Sequence, residues 1–262
     1  MSDLLPSALD SAEALRLALL ALVGVVAGFL NTVAGGGSLL TVPALMLLGL
    51  PPQLANATNR VGVIFQALAG VRGFHRQDRI PWRAIPAMAA PTLLGAFGGA
   101  QLAAHIPPQV LKPTLLGILL LMAVTLVWKP TAVTPPEGVE PRRIKEKPLA
   151  LLAFLALGAY GGFLQAGMGI PGVLILGGLL RYDLVRANAI KVTLVALLTV
   201  VSLGVFIFED QIVWLPGLFL AAFMTIGAEV GVRFAVKTRQ DVLRKLLFVA
   251  VVASCIGALI KG

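Results

Sequence analysis

The stretch "NTVAGGGSLLTVPALMLLGL", residues 31–50, interrupts an apolar run that is long enough to enter a membrane. A run of glycines at 35–37 breaks it, and only a short apolar piece, 39–50, follows before two prolines. A helix of about 12 residues rises about 18 Å, whereas the hydrocarbon core of a bilayer is about 30 Å thick. The stretch therefore predicts a half-length helix that begins near the middle of the bilayer.

The composition places the whole chain in a membrane. Of its 262 residues, 58% are hydrophobic and 13% are charged, and the mean hydropathy is +0.93. Soluble domains carry about 25% charged residues. A soluble enzyme or a nucleic-acid-binding domain is thus nearly excluded, despite the net charge of +9. We predict an all-α polytopic membrane protein whose excess positive charge lies in cytoplasmic loops.

Ten apolar segments follow one another, five on each side of a polar stretch at 129–147 that is rich in proline and charge. We expect a first membrane repeat at 14–128, a cytoplasmic linker at 129–147 and a second membrane repeat at 148–260. The predicted segments are 14–33, 39–50, 56–74, 84–104 and 109–128, then 149–166, 171–180, 186–208, 213–235 and 242–260.

The two halves repeat each other in sequence. "GFLN" at 28–31 matches "GFLQ" at 162–165, and "ANA" at 55–57 matches "ANA" at 187–189. A series of such matches at a nearly constant spacing is the signature of an internal duplication. Each half is expected to contain a broken pair with a half-length helix and three spanning helices.

Charged loops indicate that the halves have opposite orientations. The loop after segment 56–74 is rich in arginine, whereas its counterpart carries Glu209 and Asp210 and no cation. Because cytoplasmic loops are enriched in Lys and Arg, equivalent loops face opposite sides of the membrane. We therefore predict inverted-topology repeats, as in many secondary transporters, with the linker inside and both termini outside.

The second half has a glycine-containing break of its own, "GMGIPG" at 167–172, before the short segment 171–180. Two helix N-termini would then approach each other near the bilayer centre. Each carries unpaired N–H groups and the positive end of a helix dipole, which together favour an anion. Ser38 is expected to be an N-cap or a further donor. The predicted anion-binding residues of the breaks are Gly35, Gly36, Gly37, Ser38, Gly167, Met168, Gly169 and Ile170.

Polar residues near the breaks complete the predicted site. Asn31 and Gln165 are expected either to donate to the substrate or to satisfy the broken backbone. Arg60 and Lys191, the latter aligned with Asn59, are cations within membrane segments. They either pair with the anion or extend to the interface, and Asn59 is included as a substrate-binding candidate.

Other membrane residues have structural or secondary roles in this interpretation. Glu229 either relays a proton coupled to transport or pairs with Arg233 one turn later, and pairing is favoured. Gln66 is expected to make an interhelical hydrogen bond. Thr58, Asn56 and Asn188 either donate to substrate oxygens or cap helix starts, and capping is favoured for the two asparagines. Pairs of glycines four residues apart are expected to pack helices closely. These pairs are Gly24/Gly28, Gly95/Gly99, Gly158/Gly162 and Gly227/Gly231.

The segments "GFLNTVAGGGSLLTVPALMLLGLPPQLANATNRV" and "GGFLQAGMGIPGVLILGGLLRYDLVRANAIKVT" resemble the sulfite exporter TauE/SafE family, also called the toluene sulfonate uptake permease family. The resemblance covers nearly the whole chain. It implies transport of small sulfur-containing anions such as sulfite, sulfonates or related organosulfur acids. The second half has "GMG" for "GGG" and "ANAIK" for "ANATN", so the two half-sites are expected to differ chemically.

We therefore expect a non-enzymatic secondary transporter that moves a small sulfur-containing anion by alternating access. A passive small-anion channel on the same scaffold is the alternative, and an intramembrane enzyme or cytochrome-assembly factor is a weaker one. The expected location is the cell (inner) membrane, as a multi-pass protein. The partners are a small anionic substrate and the lipid bilayer, with no nucleic acid, cofactor or metal. Proton coupling and a homo-oligomer remain open.

Overall fold

The computed structural model describes residues 11–33, 35–127, 135, 139–146 and 148–235, and these residues contain helices and turns but no β-strand. The predicted last segment, 242–260, lies outside them. Short 3-10 turns occur at Trp82–Ala84 and Ile144–Glu146. The α-helices are α1 (Ser11–Val33), α2 (Ser38–Leu47), α3 (Pro52–Arg76), α4 (Ile85–His105), α5 (Pro108–Val127), α6 (Leu149–Phe163), α7 (Gly169–Val173), α8 (Leu184–Phe208) and α9 (Trp214–Ala235).

The prediction of an all-α polytopic membrane protein is confirmed. Within the described ranges, four helical stretches are long and apolar enough to cross a membrane, and shorter apolar helices lie between them. The four are Ala14–Val33, Trp82–His105, Leu184–Phe208 and Trp214–Ala235. Helix α3 is as long as α8 but is not among the four, because its sequence is less apolar and includes buried polar residues such as Asn59 and Arg60.

Both breaks predicted from the glycines are present. Helix α2 has only 10 residues, and α7 has 5 before it continues as a π-helical turn at Leu174–Leu179. The backbone adopts a left-handed conformation in both breaks, with φ of +77° at Gly35 in the first break and +73° at Gly167 in the second. Gln165 also has a positive φ, +68°, although such a conformation is uncommon for a residue with a side chain.

The four-residue glycine pairs pack helices together, as predicted. Helix α4 packs along α6 and α9 packs along α1. A Cβ added at Gly28 would overlap the backbone of Met224, and one at Gly162 would overlap the backbone of Ala96. Only glycine permits these backbones to come so close, so the pairs determine which helices are neighbours.

Helices α3 and α8, which are equivalent under the duplication, lie against each other in antiparallel directions. Ala57 near the start of α3 shares a buried cluster with Phe206 near the end of α8, while Gly70 contacts Val192 near the start of α8. Antiparallel packing of equivalent helices is what inverted repeats require. The inversion across a membrane and the domain boundaries at 128 and 148 stay predictions.

Candidate functional site

The two breaks meet in the interior. A Cβ added at Gly35 would overlap the backbone of Gly169, and the N–H of Gly169 donates to the carbonyl of Gly35 at 3.3 Å. Gly35 lies in the first break and Gly169 lies at the start of α7, so the two breaks touch each other directly.

A small cavity of about 20 Å³ adjoins this contact. A volume of this size has room for about one water molecule. Its wall combines the two breaks with the middle of α3 and the first half of α8. The lining residues are Asn31, Gly35, Ser38, Val63, Gln66, Gln165, Met168, Gly169, Lys191, Val192 and Val195.

The structure thus brings part of the predicted site to one cavity and leaves the rest outside its wall. The predicted residues in the wall are Asn31, Gly35, Ser38, Gln165, Met168, Gly169 and Lys191. Those outside it are Gly36, Gly37, Asn59, Arg60, Gly167 and Ile170. Whether any of them contacts a substrate stays a prediction.

Asn31 holds the start of α2. Its side-chain oxygen Oδ1 accepts hydrogen bonds from the N–H of Gly37 at 2.7 Å and from the N–H of Ser38 at 3.3 Å. Asn31 therefore satisfies the broken backbone, which was one of its two predicted roles. The expectation that Ser38 is the N-cap is wrong, because Ser38 is already the first residue of the helix and Asn31, from α1, provides the acceptor.

Lys191 is the cation of the cavity. Its side chain is buried, and Nζ donates to Asn188 Oδ1 at 2.8 Å and to the carbonyl of Thr32 at 3.4 Å. Thr32 lies in the last turn of α1, where the helix dipole is negative. Among the described residues, no carboxylate is within salt-bridge distance of Lys191. The alternative in which Lys191 extends to the interface is therefore wrong.

Gln66 is a cavity residue that the sequence interpretation did not place in the site. Its Nε2 donates to Thr32 Oγ1 at 3.4 Å, so the predicted interhelical hydrogen bond is confirmed. Its Oε1 is buried without a hydrogen-bond partner among the described residues. The sequence signal that could have identified Gln66 was its spacing. Residue 66 lies seven positions after Asn59, which places both on the same face of α3.

Arg60 binds the end of α6, the helix that precedes the second break. Its NH1 donates to the carbonyl of Gly161 at 2.6 Å and to Gln165 Oε1 at 2.7 Å, and NH2 donates to the carbonyl of Gly162 at 2.8 Å. These carbonyls end α6, so the guanidinium caps its negative end. Arg60 is fully buried, which contradicts the interface alternative, and the aromatic ring of Phe206 lies 5.6 Å away.

Gln165 has both ends of its amide engaged. While Oε1 accepts from Arg60, Nε2 donates to Thr199 Oγ1 at 2.7 Å. Thr199 in turn donates to the carbonyl of Val195 on its own helix. Gln165 lines the cavity, but this network holds the second break in place rather than leaving a free group.

The capping roles predicted for two asparagines are wrong. Helix α3 begins at Pro52, and Asn56 instead donates from Nδ2 to the carbonyl of Phe163 at the end of α6 at 2.8 Å. Helix α8 is capped by Asp183, and Asn188 accepts from Lys191. The predictions placed the helix starts too late, so residues inside the helices were taken for caps.

The backbone N–H groups of the breaks are mostly paired inside the protein, which differs from the expectation that they form the anion site. In the first break, Gly35 donates to Leu30, while Gly37 and Ser38 donate to Asn31. In the second break, Met168 and Gly169 donate to Gln165 and Gly35 respectively. Asn59 is engaged at one end only, since its Oδ1 accepts from Thr41 at 2.5 Å while its Nδ2 is buried without a partner among the described residues. Side chains therefore supply the donors that a ligand would meet.

Glu229 lies away from the central cavity. It is exposed, and it lines a surface pocket of about 180 Å³ together with Arg72, Arg76 and Arg233. No salt bridge joins Glu229 to Arg233 in the described part of the chain, so the predicted pair is absent there. A carboxylate at this pocket does not face the cavity that holds Lys191.

Long apolar helices, two broken helices in contact and a buried polar cavity between them define a multi-pass α-helical membrane protein. The family model described as Sulfite exporter TauE/SafE matches residues 20–258, and the chain belongs to this family. The resemblance drawn from the glycine-rich breaks is therefore confirmed, and the family is one of probable membrane transporters.

Known relatives match along nearly their whole length. A "Probable membrane transporter protein ORF9" from Sinorhizobium sp is 28% identical over 243 residues, which cover 93% of this chain and 92% of that protein. The "Probable membrane transporter protein YfcA" of Escherichia coli K12 is 28% identical over 235 residues, which cover 90% of this chain and 86% of that protein. A "Probable membrane transporter protein" of Haemophilus influenzae is 29% identical, covering 89% and 90%. No solved structure matches.

Proposed function

We propose that this protein is a secondary transporter that moves a small sulfur-containing anion, sulfite or a sulfonate, across the membrane by alternating access. The anion binds in the cavity between the two breaks. The observation that carries this proposal is Lys191, a buried cation in the cavity wall that faces no carboxylate among the described residues.

A buried ammonium without an opposite charge is costly inside a membrane protein, and such groups commonly mark substrate or ion pathways. The two acceptors of Lys191, Asn188 Oδ1 and the Thr32 carbonyl, are neutral dipoles and supply no full negative charge. A bound anion would supply it. Asn31 Nδ2, a buried donor without a partner among the described residues, is in the same wall.

Membership of the TauE/SafE family supports a sulfur-containing substrate. Sulfite and the head group of a sulfonate present three oxygens on one pyramidal or tetrahedral centre. An ammonium, a carboxamide N–H and a hydroxyl, from Lys191, Asn31 and Ser38, are donors of the kind that bind such oxygens. Apolar contacts with Val63, and with other valines of the wall, would enclose the anion.

The small size of the cavity is one reason to propose a carrier rather than a passive channel. A space of about 20 Å³ is small for an anion with three oxygens, so binding is proposed to require a movement of the surrounding helices. Antiparallel packing of α3 against α8 supports a movement of one half against the other around the site. The exposed position of Glu229 gives no support to that residue as a proton relay.

The test is sulfite flux in proteoliposomes that contain the purified full-length chain. We expect saturable uptake of radiolabelled sulfite, accelerated by unlabelled sulfite inside the vesicles. Lys191→Met should abolish uptake while the protein still folds. Arg186→Met is the matched control, because Arg186 is an exposed cation on the same helix. Uptake by Lys191→Met at the rate of Arg186→Met would refute the role of Lys191, and non-saturating flux without acceleration would identify a channel.

A further inference from the structure

We propose that the cavity selects a singly charged oxyanion that still carries an O–H group, such as hydrogensulfite, and that Gln66 is the residue that recognises this hydrogen. The inference rests on the proposed function and refines its substrate. It depends on which atoms of two carboxamide side chains, Asn31 and Gln66, are left for the ligand.

The orientation of the Asn31 amide follows from its partners. The backbone groups of Gly37 and Ser38 are both N–H donors, so the atom that faces them must be the oxygen Oδ1. The nitrogen Nδ2 is then directed elsewhere, and it is buried without an acceptor among the described residues. Asn31 therefore offers the cavity a donor.

The orientation of the Gln66 amide is fixed by a similar argument. The hydroxyl of Thr32 donates its only hydrogen to the carbonyl of Gly28 at 3.0 Å. Toward Gln66 it can act only as an acceptor, so the amide nitrogen must face it. The oxygen Oε1 remains, in a residue that is 1% exposed and lines the cavity, and it has no partner within the described chain.

Among the described residues of the wall, Lys191 Nζ and Asn31 Nδ2 are donors, the Ser38 hydroxyl can donate or accept, and Gln66 Oε1 is a buried acceptor without a partner. An anion that has lost all its hydrogens would leave this acceptor unpaired or place an oxygen against it. Burying an acceptor without a donor carries a substantial free-energy cost. An anion with one O–H group satisfies the acceptor and accepts from the donors with its remaining oxygens. Sites that hydrogen-bond a substrate hydroxyl strongly reject the analogue that lacks it.

The probes are nitrate and hydrogencarbonate, which are both planar, singly charged and built with three oxygens, and only hydrogencarbonate has an O–H group. Each is tested as a competitor of radiolabelled sulfite uptake by the full-length protein in proteoliposomes at one pH. We expect hydrogencarbonate to compete at a concentration at least about tenfold lower than nitrate. In Gln66→Met the two should compete equally, because the acceptor is gone and hydrogencarbonate loses its advantage.

Two further variants separate recognition from packing. Gln77→Met, at the exposed end of α3, should keep the wild-type preference. Thr32→Val removes the hydroxyl that orients the Gln66 amide, so the preference for hydrogencarbonate should shrink, and this variant tests the inference even if Gln66→Met fails to fold. An undiminished preference in Thr32→Val would contradict the orientation argument. Equal competition by the two probes in the wild-type protein would overturn the inference while leaving the proposed function intact. Absence of sulfite uptake by the wild type would instead overturn both.

Discussion

The C-terminal ends of α1 and α6, which the predicted duplication makes equivalent, are surrounded by different chemistry. Around α1 lie Asn31, Gln66 and Lys191, which we call the α1 cluster, and here Asn31 Nδ2 and Gln66 Oε1 are buried without partners in the described chain. Around α6 lie Arg60, Gln165 and Thr199, the α6 cluster, in which both ends of the Gln165 amide are bonded and Arg60 Nε is buried without a partner among the described residues.

This contrast indicates that the two predicted repeats have different roles. In both clusters a cation from a central helix binds the negative end of the broken helix of the other half. Arg60, with a planar guanidinium, makes three hydrogen bonds and fastens its helix end. Lys191 binds its helix end with a single long contact and borders open space. One cluster is suited to hold the fold, and the other to bind a ligand.

The largest effect is expected from Arg60→Met, which tests the structural half of the comparison. It removes three buried hydrogen bonds and leaves the carbonyls of Gly161 and Gly162 and the oxygen of Gln165 without a donor. Each such loss costs about 1–3 kcal/mol, so we expect the free energy of unfolding to fall by about 3 kcal/mol or more. Unfolding in mixed micelles measures it.

Arg83→Met is the control for this change, because Arg83 is an exposed arginine in the turn before α4. It should leave the free energy of unfolding nearly unchanged, since exposed charges contribute little. If Arg60→Met were as stable as Arg83→Met, the hydrogen bonds of Arg60 in the α6 cluster would not contribute to the free energy of unfolding.

An intermediate effect on anion binding is expected from two isosteric changes at equivalent positions. Asn31→Asp keeps the oxygen that caps α2 but puts a carboxylate in the wall beside Lys191, so sulfite affinity should fall about tenfold or more. Gln165→Glu also adds a carboxylate, but Arg60 NH1 already lies 2.7 Å from that side-chain oxygen and would neutralise it. We expect its affinity to stay within about threefold of the wild type.

Competition by unlabelled sulfite in the proteoliposome assay gives both affinities. Similar losses in Asn31→Asp and Gln165→Glu would show that the two clusters contribute equally to binding, contrary to the division of roles proposed above. Binding unaffected by Asn31→Asp would remove Asn31 from the site.

The smallest effect is expected from Thr199→Val in the α6 cluster. The change is nearly isosteric and leaves Gln165 Nε2 without its acceptor, which should lower the free energy of unfolding by about 1 kcal/mol and leave sulfite affinity unchanged. Thr193→Val on the same helix is the control, since the one partner of the Thr193 hydroxyl among the described residues is the carbonyl of Ala189 within α8. An equal loss in both variants would assign no special role to the Gln165 contact.

Much of the fold could be predicted from the sequence because its signals are local. Apolar length located the described helices, and glycines marked both breaks, since a helix that stops inside a membrane needs residues that tolerate unusual backbone conformations. The same patterns placed the helix starts poorly. Helices α3 and α8 begin several residues before the polar residues Asn56 and Asn188, which the sequence favoured as caps.

The sequence identified only some of the residues that line the cavity. Asn31, Gln165 and Lys191 were noticed because polar residues are rare in apolar segments. Gln66 shared that property, but one hydrogen bond between helices was enough to explain it. Its second polar atom has no partner among the described residues. Which atom this is depends on the direction of the Thr32 hydroxyl, and Thr32 lies 34 positions before Gln66 in the sequence.

The sequence alone was enough to identify a helical membrane protein of the TauE/SafE family with two glycine-marked breaks, because hydrophobic length and glycine placement act locally along the chain. The packing of the helices was needed to show that the Gln165 amide is bonded at both ends, whereas Asn31 and Gln66 each keep a buried polar atom without a partner among the described residues. The reason is physical: a polar group buried from water is satisfied or unsatisfied according to the neighbours that packing brings within about 3 Å.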